Sequence, residues 1–118
     1  MVGELILRCL HARTNAHELH LLSPTYAKHI ALNEFYESIT DPVDSIAETY
    51  QGIHGVIESY PPRYTPVDDP VALINGLATW VEDNRYECCD AEETCLQNII
   101  DEIIALCRAS AYKLKVLK

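Results

Sequence analysis

Long uncharged apolar runs are missing from this chain. Its hydrophobic stretches are broken by charge, and none approaches the roughly 18 residues that a membrane span requires. Met1 to Leu10 carries Glu4 and Arg8 inside what would be the apolar segment of a signal peptide, so an intracellular setting and no membrane partner are expected. Positive charge is scarce: 9 Lys and Arg stand against 18 Asp and Glu, a formal charge of -9 that opposes a phosphate backbone and argues against DNA binding. Such a surface favours cations, although solubility alone is a commoner reason for acidity. A cysteine framework is also missing. Five cysteines are an odd number at irregular spacing, with Cys88 and Cys89 adjacent, so reduced thiols are expected. No strand signal and no internal repeat stand out.

What the chain does have is 118 residues at 48% hydrophobic and 23% charged, the balance of one globular domain, here 1–118, so a larger assembly has to come from repeated subunits. Ile6, Leu10, His17 and Leu21 recur at helical spacing and predict a first helix from Val2 to about Leu22. Ser23 then offers a cap, with Pro24 at the first helical position of a second helix. That helix runs through Ile30, Tyr36, Ile39, Val43, Ile46, Tyr50 and Ile53, with Pro42 expected to bend it. Four prolines between Tyr60 and Pro70 mark a linker, in which Tyr60 and Tyr64, like Trp80 beyond it, are read as packing residues. Asp69 and Pro70 open a third helix, Val71 to about Arg85. Asp90 and Glu93 form a capping-box-like start to a fourth, which ends in Lys113, Lys115 and Lys118. Four helices with one proline-rich connection describe an all-α bundle. About 10 extended linker residues reach roughly 33 Å, past a third helix of roughly 25 Å, so the chain has length enough to cross the bundle between the second and third helices, and a slack up-and-down connection fits the same sequence.

His17 lies on the apolar stripe of the first helix and His29 among Tyr26, Asn33 and Tyr36 on the second, each six residues from Ser23. An antiparallel pair of helices would bring the two imidazoles to one level, where they can share a metal or, equally, stand as hydrogen-bonded core histidines. Asp44 and Glu48 are one turn apart and lie about 60° and 100° round the helix from His29. They are either a solvated face or oxygen ligands. Asp44 is roughly 22 Å along a straight helix from His29, so one metal cannot bind both within one chain. Two second helices crossing antiparallel near Glu37 and Ser38 would bring His29 of one copy level with Asp44 and Glu48 of the other, creating two equivalent sites per two-fold dimer. Two imidazoles with two carboxylates suit iron, manganese or zinc, and redox chemistry favours iron.

The intervals His17, His29 twelve on, Asp44 fifteen further and Glu48 four further, with Asp-Ser-Ile-Ala-Glu around the carboxylates, resemble the ferroxidase signature of the Dps-type mini-ferritins, DNA-binding proteins from starved cells. The likeness extends more weakly to Gly52 and Gly55, to Asp90 and Thr94, and to the run from Leu96 to Leu117. The resemblance implies a ferritin-like four-helix bundle with a long crossover between the second and third helices, and a ferroxidase site of His17 and His29 from one subunit with Asp44 and Glu48 from its mate. It implies ferrous ion oxidised by peroxide or oxygen, with ferric mineral stored in a twelve-subunit shell. The chain departs from the family's habits at Glu18, where tryptophan is common, and at Asn33, where aspartate often helps a second iron; it also lacks a lysine-rich tail.

Rival motifs are weaker. His17-Glu18-Leu19-His20 starts like a zinc-protease helix, but Leu21 stands where the second histidine is required, and no Glu-x-x-His pair of the larger di-iron bundles occurs. Cys88, Cys89 and Cys95 match no zinc-finger spacing. The alternative to a ferroxidase is a dimeric ferritin-like scaffold or interaction protein with a structural or vestigial metal site.

Overall fold

The apolar stripes of the sequence become helices in five segments. A computed structural model describes residues 1–61 and 65–116. The expectations for Tyr64 and Lys118 lie outside the described residues. Helix α1 spans Val2–Leu22, α2 Tyr26–Ser38, α3 Thr40–His54, α4 Pro70–Cys88 and α5 Thr94–Val116, and no strand occurs among the described residues.

The expected second helix is therefore two segments, for the reason Pro42 suggests. Proline has no N–H to offer the Ser38 carbonyl, and its ring crowds that carbonyl. Helical bonding nevertheless passes through the junction: Ile39 N–H donates to Phe35 C=O at 3.0 Å, and Val43 N–H donates to Ile39 C=O at 3.2 Å. Ile39 keeps right-handed helical angles, φ -75° and ψ -21°. Segments α2 and α3 thus make one bent rod, and the chain is four rods. Gly55, at φ 91°, ends the rod in a conformation that disfavours any side chain.

The other termini follow their capping chemistry. Asp69 accepts the Ala72 N–H at 2.8 Å, with Pro70 at the first helical position of α4. Glu93 accepts the Asp90 N–H at 3.2 Å, which is the glutamate half of the expected capping box. Its other carboxylate oxygen meets His54 Nε2 at 2.6 Å, tying the foot of α3 to the start of α5.

Direction along each rod can be read from its contacts. Ser59 passes against Gly3 at the start of α1, and the Val67 backbone is bonded both ways to the Asn15 side chain, at 2.7 and 3.1 Å. The connection after α3 thus runs back alongside α1. Helix α4 then runs opposite to α1, since Arg8 covers the Trp80 ring at 4.4 Å and the Cys88 thiol donates to the Met1 carbonyl. Helix α5 returns beside the bent rod, with Lys113 3.1 Å from Glu34. In cross-section α1 packs on α2 and α4, while α5 packs on α4 and on both parts of the bent rod.

All five segments feed one buried cluster, in which Leu5, Leu32, Phe35, Ile46, Ile74, Ile100 and Ile103 are fully enclosed. Each such side chain contributes about 1.5–3 kcal/mol of burial. Trp80 packs against this cluster as expected, whereas Tyr60 is exposed. Polar clamps fix neighbouring rods. Arg108 on α5 donates to Glu82, Asn75 and Thr79 along α4, and Arg85 on α4 donates to Gln97 and Asp101 on α5.

Two glycines in helices should respond oppositely to the same substitution. A methyl on Gly3 would run into the Ser59 carbonyl oxygen, a backbone atom that cannot swing away, whereas one on Gly76 meets nothing. Alanine gains about 1 kcal/mol of helix propensity at either site, but overpacking against backbone costs about 1–3 kcal/mol. Gly76→Ala is expected to raise the urea midpoint and Gly3→Ala to lower it; equal rises would show that the connection does not press on α1.

Candidate functional site

The hairpin of α1 and α2 sets the site. Its second helix is capped by Thr25, whose hydroxyl accepts the Lys28 N–H at 3.4 Å, and starts at Tyr26. Ser23 instead donates its hydroxyl to the Thr25 carbonyl at 3.2 Å. The turn is therefore centred later than a Ser23 cap would place it. As a result His20, not His17, lies directly opposite His29.

These two histidines are bonded reciprocally. His20 Nδ1 lies 2.6 Å from the His29 carbonyl, and His29 Nδ1 lies 2.9 Å from the His20 carbonyl. A carbonyl only accepts, so both Nδ1 atoms carry a proton, and in the neutral form of each ring it is Nε2 that keeps the lone pair. The rings stack with centroids 3.5 Å apart and planes 23° apart. His20 is 8% exposed, and its carbonyl, in the last turn of α1, accepts the Ser23 N–H at 3.3 Å as well as the His29 ring. The expected pairing of His17 with His29 as hydrogen-bonded core histidines does not occur: His29, half-buried, bonds to His20 instead, and His17 is exposed.

His17 lies one turn back along α1, its ring stacked on Tyr36 at 4.2 Å and 5.9 Å from that of His20. The Tyr36 hydroxyl donates to Asn33 Oδ1 at 2.6 Å, so Asn33 orients a ring of the site. With His20 opposite His29, His17 lies opposite the position of Leu32, which offsets it from His29 by about 4.5 Å along the axis. A shallow groove of about 650 Å³ runs here, lined by Arg13, His17, Leu21, Tyr36, Glu37 and Thr40.

Asp44 and Glu48 lie exposed on α3, and neither has a hydrogen-bond or ion-pair partner among the described residues. Within one chain they do not join the histidines: among the described residues no three His, Cys, Asp or Glu side chains come together as a metal-holding group. The hairpin therefore gathers His17, His20, His29 and Tyr36, and leaves Asp44 and Glu48 further down the bent rod. Sequence reasoning missed His20 as a site residue. The available signal was Thr25, which caps as well as Ser23 does and moves the centre of the turn.

Residues 20–114 match the model of a family of unknown function, DUF5856. The chain belongs to that family. Neither the curated proteins nor the solved structures contain a match to it. The stretch shared with DUF5856 includes His20, His29, Tyr36, Asp44 and Glu48, and begins three residues after His17. Among the described residues of this DUF5856 member no helix is long and apolar enough to cross a membrane.

The thiols make a poor alternative centre. All five are free, and only Cys95 is exposed. Burial pushes Cys88 up to about 11, and burial with the neighbouring Cys88, Glu93 and Asp90 pushes Cys89 up to about 12. Burial likewise raises Cys107 to about 12, and Cys9, enclosed beside Cys107 and Cys88, is raised too. These are protonated packing groups, not thiolate ligands. The fold holds their protons more tightly than the unfolded chain, whose thiols titrate near 9.0. Their contribution to stability is therefore intact below that pH and is lost as pH rises towards 11 and 12. In reductant, the urea midpoint should fall over this window, and less steeply in a Cys88→Ala, Cys89→Ala chain than in the parent. Parallel pH profiles would show that these thiols do not contribute.

Proposed function

We propose that this chain is a ferritin-like protein of the Dps type, which binds ferrous ion and oxidises it with peroxide or oxygen at two equivalent sites shared across a two-fold dimer. The observation that carries the reading is the arrangement of four metal-type donors on the outside of one hairpin and its continuing rod. His17, Asp44 and Glu48 are exposed, Asp44 and Glu48 have no partner among the described residues, and His29 has its Nδ1 proton tied down so that Nε2 is the nitrogen left to ligate. The four-rod arrangement, with its connection running back alongside α1, supports a ferritin-like crossover bundle.

The bent rod then acts as the dimer helix. Two copies crossing antiparallel near Glu37 and Ser38 bring each His17 and His29 pair beside Asp44 and Glu48 of the other copy, with the groove along His17 and Tyr36 receiving the second chain. The 4.5 Å stagger of the histidines suits ligands one turn apart on the facing helix, as Asp44 and Glu48 are. Imidazoles bind the ferrous ion as neutral donors, and the carboxylates favour the ferric product through their charge. Two ferrous ions each give up one electron, and a peroxide takes both with two protons to become two waters. The acid excess of the chain draws cations towards these sites.

A second reading, a dimeric helical scaffold without turnover, is favoured by His20, which partners His29 within the chain and needs no metal to do so. The two readings separate on oxidation of ferrous ion by metal-free protein over several additions, with peroxide and with air. Rapid oxidation at each addition is expected, falling about 10-fold or more in His17→Ala, Asp44→Ala and Glu48→Ala, and partly regained when His17→Ala and Asp44→Ala chains are mixed. Background rates throughout would favour the scaffold, and no recovery in confirmed mixed dimers would refute the shared site.

A further inference from the structure

The contacts around His29 point beyond the proposed ligands to a residue that stands behind them. We infer that His20 is the positioning residue of the site: its backbone carbonyl selects the His29 tautomer, and its ring holds the His29 ring in the orientation that presents Nε2. The inference rests on the proposed metal site but concerns a side chain that is no part of its donor set.

A ligand histidine can fail in two ways, by carrying its proton on the wrong nitrogen or by rotating its ring away. Both are controlled here from α1. The His29 Nδ1–H donates to the His20 carbonyl at 2.9 Å, which excludes the Nε2–H tautomer. Rotation about the ring's own bond is opposed by the His20 imidazole stacked at 3.5 Å on one face. The His20 ring is itself fixed, because its Nδ1–H donates to the His29 carbonyl at 2.6 Å and its edge meets Tyr36, 5.3 Å away and inclined by 74°. The Tyr36 ring stacks in turn on His17 at 4.2 Å. One buried imidazole thus braces both histidines of the proposed site, one directly and the other through Tyr36. Outer partners of this kind are worth about 10–100-fold in metal affinity.

The test uses the full chain with cobaltous ion as the probe, because its visible bands report coordination. His20→Ala is expected to bind cobalt about 10–100-fold more weakly than wild type and with altered band intensity, at unchanged helicity and dimer content. His20→Asn keeps a donor near the Nδ1 position and His20→Phe keeps the stacked face, so each should recover part of the loss. Wild-type affinity and bands in His20→Ala would overturn the positioning role and leave the proposed site standing. Absence of cobalt binding by the wild-type protein would overturn both. A measurement without substitution stands beside these in case the variants unfold. Imidazole nitrogen resonances of the metal-free wild type, recorded above the ordinary histidine range, should show His20 and His29 both as Nδ1–H tautomers. An Nε2–H form of His29 would overturn the inference.

Discussion

The reciprocal bonding of His20 and His29 sets the register of α1 against α2, and much of the remaining geometry follows from that register. Each ring spans the gap between two helices to reach a backbone carbonyl, so sliding either helix by one residue breaks two hydrogen bonds and a ring stack together. Buried polar groups that lose partners cost about 1–3 kcal/mol each, more than a surface contact returns. The pair is therefore a register pin of the kind that apolar packing alone does not supply. Apolar side chains tolerate small shifts, whereas a ring nitrogen aimed at one carbonyl does not. Tyr36, and through it His17, take their places from the same pin.

Polar clamps do similar work on the opposite side of the bundle. Arg108 spreads one guanidinium over three acceptors along α4, and Arg85 returns the favour to α5. Because α4 and α5 are fixed to each other by these forks and α1 to α2 by imidazoles, the structure is two pinned pairs joined by an apolar core and by single polar contacts such as Lys113 with Glu34 and Cys88 with the Met1 carbonyl. The foot of α3 is tied to the start of α5 where His54 meets Glu93, while Asp44 and Glu48 face solvent with no ion-pair partner among the described residues.

Those parts of the fold whose causes are local were legible in the sequence. The stripe Ile100, Ile103, Cys107, Ala111 announces the buried face of α5, and Asp69 with Pro70 announces the start of α4, because each depends only on neighbours within a turn. Pro42 pointed to a disturbance of the second helix, and the helix is interrupted at Ile39, beside the Ser38 carbonyl that the ring crowds. The turn between α1 and α2 was harder to place. Ser23 and Thr25 are both competent caps, and the choice between them rests on burying His20 and seating His29 against α1, contacts that a local pattern does not encode. The spacing of His17, His29, Asp44 and Glu48 could be read directly, but the braces behind them, His20 and Tyr36, become visible only once two helices are set side by side.

The path of the connection after α3 bears on the order in which the chain can assemble. Asn15 waits for Val67, 52 positions later, and the Met1 carbonyl waits for Cys88, 87 positions later. The hairpin of α1 and α2, by contrast, is complete once Ser38 has been made. During synthesis at roughly 5–20 residues per second, α1 therefore spends several seconds with one flank covered by α2 and the other open. That open flank, around Gly3, Arg8, Ala12 and Asn15, is where a nascent chain is most exposed to a wrong partner, and Ser59 and Val67 of the later connection help to cover it.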